Sequence, residues 1–136
     1  SFVLSKDGGE TWRTPRSTGI MGQTMTPIPL GDNRLLVLYN RRYGDQGIVM
    51  ALVTFTDEKW ITHYDGILYD ACSSRDRPSG LVTGVDELTS FQFGFPTAIR
   101  LRNCTYLTTH WSQENGRFGI RWTLIHIDWE EKTTSS

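Results

Sequence analysis

Two adjacent arginines, Arg41 and Arg42, close the apolar run Arg34-Leu35-Leu36-Val37-Leu38-Tyr39. A guanidinium is a planar fork of donors that matches a carboxylate, so the pair is suited to an anionic ligand. The alternative is a solvated charge at a strand end. His110 and Trp111 stand at the end of a second such run. There an indole either stacks on a ligand face or packs among outer strands. Arg75, Asp76 and Arg77 lie in a polar stretch and either reach over a pocket or face water. His63, beside Tyr64, reads as structural or exposed. Three His and two Cys without ligand spacing give no metal site, and no glycine-rich loop cradles a phosphate. No cofactor is expected.

These residues belong to a chain of 136, with 14 Lys+Arg against 15 Asp+Glu and a net charge of −1. Such a balance argues against an electrostatic grip on nucleic acid or an anionic membrane. No apolar run approaches the roughly 18 residues of a spanning helix. Aromatic residues make up 12% of the chain, which leans it toward β-structure. It opens Ser-Phe-Val-Leu, with no initiator Met and no signal peptide, so the compartment stays open, a secreted or periplasmic one included. Cys72 and Cys104 permit one disulfide or two free thiols, and Asn103-Cys104-Thr105 fits a glycosylation sequon.

Strands must position the candidate residues. Ser1 to Leu4, the turn around Asp7-Gly8-Gly9 and Trp12 folding back read as a β-hairpin. Met25 to Leu30, broken by Pro27 and Pro29, reads as an irregular or edge strand. Arg34 to Tyr39 is apolar on both faces and must be buried on both. Ile48 to Phe55 and Ile61 to Tyr69 follow. A long loop fills 71–90, with a short strand at Leu81-Val82-Thr83. Phe91 to Leu101, Thr105 to Trp111 and Phe118 to Asp128 are the last strands, before a polar tail, 130–136.

The chain repeats itself. Thr26 to Leu30 stands 71 positions before Thr97 to Leu101, and Leu36 and Tyr39 answer Leu107 and His110. Gly47-Ile48 answers Gly119-Ile120 at an offset of 72. Repeated strand units of this kind indicate a propeller or similar array, the alternative being an antiparallel sandwich with accidental similarity.

Ser5-Lys6-Asp7-Gly8-Gly9-Glu10-Thr11-Trp12 fits the pattern Ser-x-Asp-x-Gly-x-Thr-Trp at Ser5, Asp7, Gly9, Thr11 and Trp12. This resembles the Asp box, a hairpin turn repeated in sialidases (neuraminidases) and related β-propellers. Thr56-Asp57-Glu58-Lys59-Trp60 looks like a decayed copy. Gly94 to Leu101, Thr105-Tyr106-Leu107 and Gly119 to Thr123 are similar to late-blade segments of bacterial sialidase-like proteins. The resemblance implies an all-β fold, part of a six-bladed propeller with four antiparallel strands per blade. Two to three blades then lie in 1–129: the end of one in 1–20, a second in 21–70, and an incomplete third in 91–129. A blade takes roughly 40 to 50 residues, and a ring at least four blades. The chain therefore reads as a fragment whose open faces are covered by further blades or by self-association.

The resemblance also implies chemistry. Sialidases hold the sugar carboxylate with arginines and attack with a Tyr activated by a Glu, an exception to the two-carboxylate scheme. By position the Glu falls on Thr24 and the Tyr on Phe95, neither of which has the required group. Arg41 is the best match to a carboxylate-binding arginine. Arg42, Phe95, His110 and Trp111 are expected near the sugar. Two functions follow: a sialidase-like glycosidase acting on terminal acidic sugars, inactive as this chain alone, or a non-catalytic carbohydrate-binding or scaffold propeller.

Overall fold

The computed structural model describes residues 1–71 and 92–129. Cys72, Arg75, Asp76, Arg77, the strand expected at Leu81-Val82-Thr83 and the tail 130–136 lie outside the described residues. The rest is all-β, in two antiparallel sheets. The first runs β1 (Gln23–Gly31), β2 (Arg34–Arg41), β3 (Gly47–Phe55) and β4 (Trp60–Asp70), each paired with the next. The second runs β5 (Phe93–Arg102), β6 (Thr105–Glu114) and β7 (Arg117–His126).

Turn chemistry fixes the registers. Asp32 and Asn33 both take positive φ (54° and 58°) between the paired Gly31 and Arg34. Asn115 and Gly116 do the same (52° and 76°) between Glu114 and Arg117. Two successive left-handed residues are the tight hairpin turn whose twist suits flanking strands, and Asn-Gly is its preferred pair. As expected, β1 is an edge strand, and Pro29 borders one of its two register shifts.

The first sheet is covered on both faces, which is why Leu35 to Tyr39 is apolar throughout. On one face Val37, Tyr39, Val49, Ala51 and Val53 form a core with Ile20 and Trp60. The segment before β1 covers this face, and Phe2 lies 5.4 Å from the Trp60 ring. On the other face Leu36 and Leu38 pack with Tyr106 of the second sheet, flanked by Ile28, Met50, Leu52 and Ile125. Arg34 adds a tie between the sheets, donating to the Trp129 carbonyl at 3.1 Å with its guanidinium over that indole.

The second sheet stacks in the same sense as the first. Ile28, Leu36 and Leu52 face it, and their repeat partners Ile99, Leu107 and Leu124 form one cross-strand row on its far side. The adjoining rows on that side hold Thr97, Thr109 and Trp122, then Trp111 and Ile120, then Gln113 and Phe118. None of these residues is charged, and Phe118, Ile120, Trp122 and Leu124 are exposed.

The N-terminal hairpin forms around its expected turn, but its first arm is not a strand. Ser1 to Leu4 is not a strand; its backbone pairs at an isolated Phe2–Arg16 bridge and at Leu4, whose carbonyl accepts from the Arg13 N–H. Side chains hold the turn itself. Asp7 accepts from the Thr11 N–H at 2.9 Å, from the Thr11 hydroxyl and from the Ser5 hydroxyl. Ser5 Oγ accepts from the Gly9 N–H, and Trp12 Nε1 donates to the Gly9 carbonyl. The second turn is built differently. Thr56 Oγ1 takes the amides of Glu58 and Lys59, and Asp57 pairs with Lys6 of the first turn.

Candidate functional site

The chain reverses at each hairpin, so the start of β1, the end of β2, the start of β3 and the end of β4 share one end of the first sheet. The start of β5, the end of β6 and the start of β7 share one end of the second. The Thr26 hydroxyl donates to the Pro96 carbonyl at 2.7 Å and brings the two ends together. Every sequence-predicted sugar-binding residue within the described chain lies there.

Thr24 and Phe95 sit at this end in matching bulges. Pairing slips between Gln23 and Thr26 in one sheet and between Gly94 and Thr97 in the other. Thr24 (φ 52°) and Phe95 (φ 49°) are left-handed, a conformation costing a non-glycine residue roughly 1–2 kcal/mol. Both are exposed, Phe95 at 72%. Phe95 has no hydroxyl to serve as a nucleophile.

Arg41 and Arg42 point to opposite sides of the first sheet, as strand alternation requires. Arg41 Nε donates to the Asp45 carbonyl at 2.6 Å, bracing the turn between β2 and β3. Arg42 lies toward the second sheet, 7% exposed, its guanidinium 4.3 Å from the Phe93 ring centre. Asn40, on that same side by alternation, is 1% exposed, and among the described residues neither of its amide atoms has a hydrogen-bond partner.

His110 and Trp111 likewise diverge. Trp111 lies on the far side of the second sheet, 6.0 Å from Phe118, close under Gly94, where a Cβ would come within 2.9 Å of its Nε1. His110 faces the first sheet. It is 3% exposed, packs 4.6 Å from the Tyr69 ring, and among the described residues has a hydrogen-bond partner on neither nitrogen. Burial pushes its pKa down to about 4, helped by the nearby Arg121 cation and opposed by Glu114, so the ring is neutral at pH 7.

Four residues not singled out in the sequence complete this cluster: Asn40, Tyr69, Glu114 and Arg121. The Tyr69 hydroxyl donates to Glu114 Oε1 at 3.0 Å, and Arg121 pairs with Oε2 of the same carboxylate. Arg121 also lies 5.7 Å from the Tyr69 ring centre. These bonds, Arg121's first, hold Glu114 below the usual carboxylate range, which makes it a weak base toward the Tyr69 hydroxyl. Strand alternation identifies Arg121 as the cross-strand partner of His110, but nothing local in the sequence marks Tyr69 or Asn40.

The five candidates therefore form two pairs and one separate residue. Arg42 and His110 lie between the sheets. Phe95 and Trp111 lie at the end and far side of the second sheet, and Arg41 stands apart on the first. His63 is elsewhere, on β4, bonded to the Thr54 hydroxyl at 2.7 Å. Cys104 is an exposed free thiol in the turn between β5 and β6. Among the described residues no three His, Cys, Asp or Glu side chains are placed to hold a metal, and no helix is long and apolar enough to cross a membrane. No family model, curated protein or solved structure matches the chain.

Proposed function

We infer that the two sheets are neighbouring blades of a sialidase-like six-bladed propeller, and that their shared end forms part of the wall of a pocket for a terminal acidic sugar. The same-sense stacking and the hydrogen-bonded Ser5–Asp7–Thr11 turn support the propeller. The observation that carries the site is the pair of exposed left-handed residues, Thr24 and Phe95, on adjoining strands. Strain held at matching positions is how backbones aim side chains at ligands. Arg41 meets the carboxylate, and Phe95 offers a flat apolar face to the ring.

Binding rather than hydrolysis is what these residues supply. Phe95 stands where the nucleophile would, and Thr24 where its base would. The test is N-acetylneuraminic acid binding by calorimetry, beside release of fluorophore from a sialoside. Saturable binding that weakens about tenfold or more in Arg41→Ala, with no release, is expected, since hydrogen bonds to charged groups contribute about 1.5–3 kcal/mol. No binding, or binding untouched by the substitution, overturns the site; release of fluorophore restores the hydrolase reading.

A further inference from the structure

We propose that copies of this chain associate head to tail. The far side of the second sheet of one copy packs on the front of the first sheet of the next, the front being the side that carries Leu35 and Val37. The inference rests on how the two sheets stack, and not on the acidic-sugar site.

The molecule already contains one contact of this kind. Ile28, Leu36 and Leu52 of the first sheet receive Ala98, Tyr106 and Ile125 of the second. At the repeat's offsets of 71 and 72, the receiving row recurs as Ile99, Leu107 and Leu124 on the far side of the second sheet. At the same offsets, the received group recurs as Pro27, Leu35 and Val53 on the front of the first. A second copy therefore brings the counterpart of a surface that the equivalent row already binds. Face-to-face pairing of two far sides has no such counterpart among the described residues.

Both surfaces offer apolar area. On the far side Ile99 and Leu124 are 58% and 53% exposed, and Trp122 is 65% exposed. On the front, Ile20 and Trp60 pack over the buried centre that includes Val53. An apolar groove of about 320 Å³ remains beside β1, with Phe2, Pro27, Pro29, Leu35 and Trp60 in its walls. No charged side chain stands in the far-side rows or lines the groove, so the contact strands no side-chain charge out of water. Three strands about 4.8 Å apart and about 33 Å long present a flat area of about 500 Å². That is below the roughly 800 Å² per partner of a standard interface, which makes the contact a weak one. Copies therefore assemble at about 100 µM and above, and at about 1 µM they are apart, with the far side facing water.

The experiment is a concentration series on the full 136-residue chain. Sedimentation equilibrium should give the mass of one chain at about 1 µM and a rising mean mass toward about 1 mM. By NMR over the upper part of that range, the indole N–H signals of Trp122 and Trp60 should shift with one shared midpoint. Leu124→Arg and Pro27→Arg should each stay a single chain. Their equimolar mixture should form one-to-one pairs, because each variant keeps the surface the other has lost. The proposal is overturned by a single chain at every concentration, by a Trp122 shift without Trp60, or by self-association that survives in Pro27→Arg. A mixture of folded variants that forms no pairs also overturns it. The wild-type signals decide the matter even where a variant fails to fold. Leu124→Arg should bind N-acetylneuraminic acid as wild type does, so the association and the acidic-sugar site can fail separately.

Discussion

Thr24 and Phe95 stand 71 positions apart and hold the same left-handed backbone at the same bulge of two successive sheets. One is β-branched and the other bulky, the types that resist this conformation most. Neither is compensated by burial of its side chain.

Relieving that strain should stabilise the fold. Thr24→Gly and Phe95→Gly are each expected to raise unfolding free energy by about 1 kcal/mol, because glycine adopts positive φ freely. Urea unfolding reads the gain. Phe95→Gly should at the same time weaken acidic-sugar binding. A loss of stability in both variants would show that the side chains, not the ligand, justify the strain.

Asp7 should titrate far below an ordinary carboxyl. The Thr11 hydroxyl and amide, then the Ser5 hydroxyl, hold its pKa at about 2 against 3.8. Its contribution to the turn is complete above 3.8 and fades as pH falls through about 2. Carbon NMR of the carboxyl should give that midpoint, and Asp7→Asn should speed exchange of the Thr11 amide. A midpoint near 3.8 would mean the turn is not held by this carboxylate.

Two leucines should respond oppositely to truncation. Leu38 is fully buried between the sheets, so Leu38→Ala should cost about 2–5 kcal/mol in urea unfolding. Leu124 lies on the uncovered face, and Leu124→Ala should stay within about 0.5 kcal/mol. A large loss at Leu124 would mean that face is covered in solution.

His110 should make stability depend on pH in acid. The unfolded ring takes a proton near 6.5, the folded one only near 4. Between these values the unfolded state binds more protons, so stability falls as pH is lowered from 6.5 and levels off below 4. Melting temperature against pH should show this slope in wild type and a shallower one in His110→Phe. An identical slope would assign the effect to other groups.

Much of this architecture is written locally. The unbroken apolar run ending at Tyr39 requires two covered faces, and it has them. Asn115-Gly116 marks the β6–β7 hairpin, and the repeat offset pairs Thr24 with Phe95 before any coordinates. At the first hairpin the turn motif is legible, while the arms pair through Phe2–Arg16 and Leu4–Arg13 without forming strands. The surroundings of His110 are not legible, since Tyr69 and Glu114 meet across 45 residues only when the sheets stack. Nor does adjacency in sequence reveal that Arg41 and Arg42, or His110 and Trp111, look in opposite directions; alternation along a strand separates neighbours.

Same-sense stacking gives the chain a polarity. The far side of the second sheet repeats the side of the first on which the second is seated, so the seat is regenerated with each sheet added. A sequence built this way can be lengthened by duplicating one segment, and the newcomer finds a matching surface without any new interface being invented. The same property sets a constraint: such a stack has no self-limiting last member, and must be closed into a ring or capped by something unlike itself.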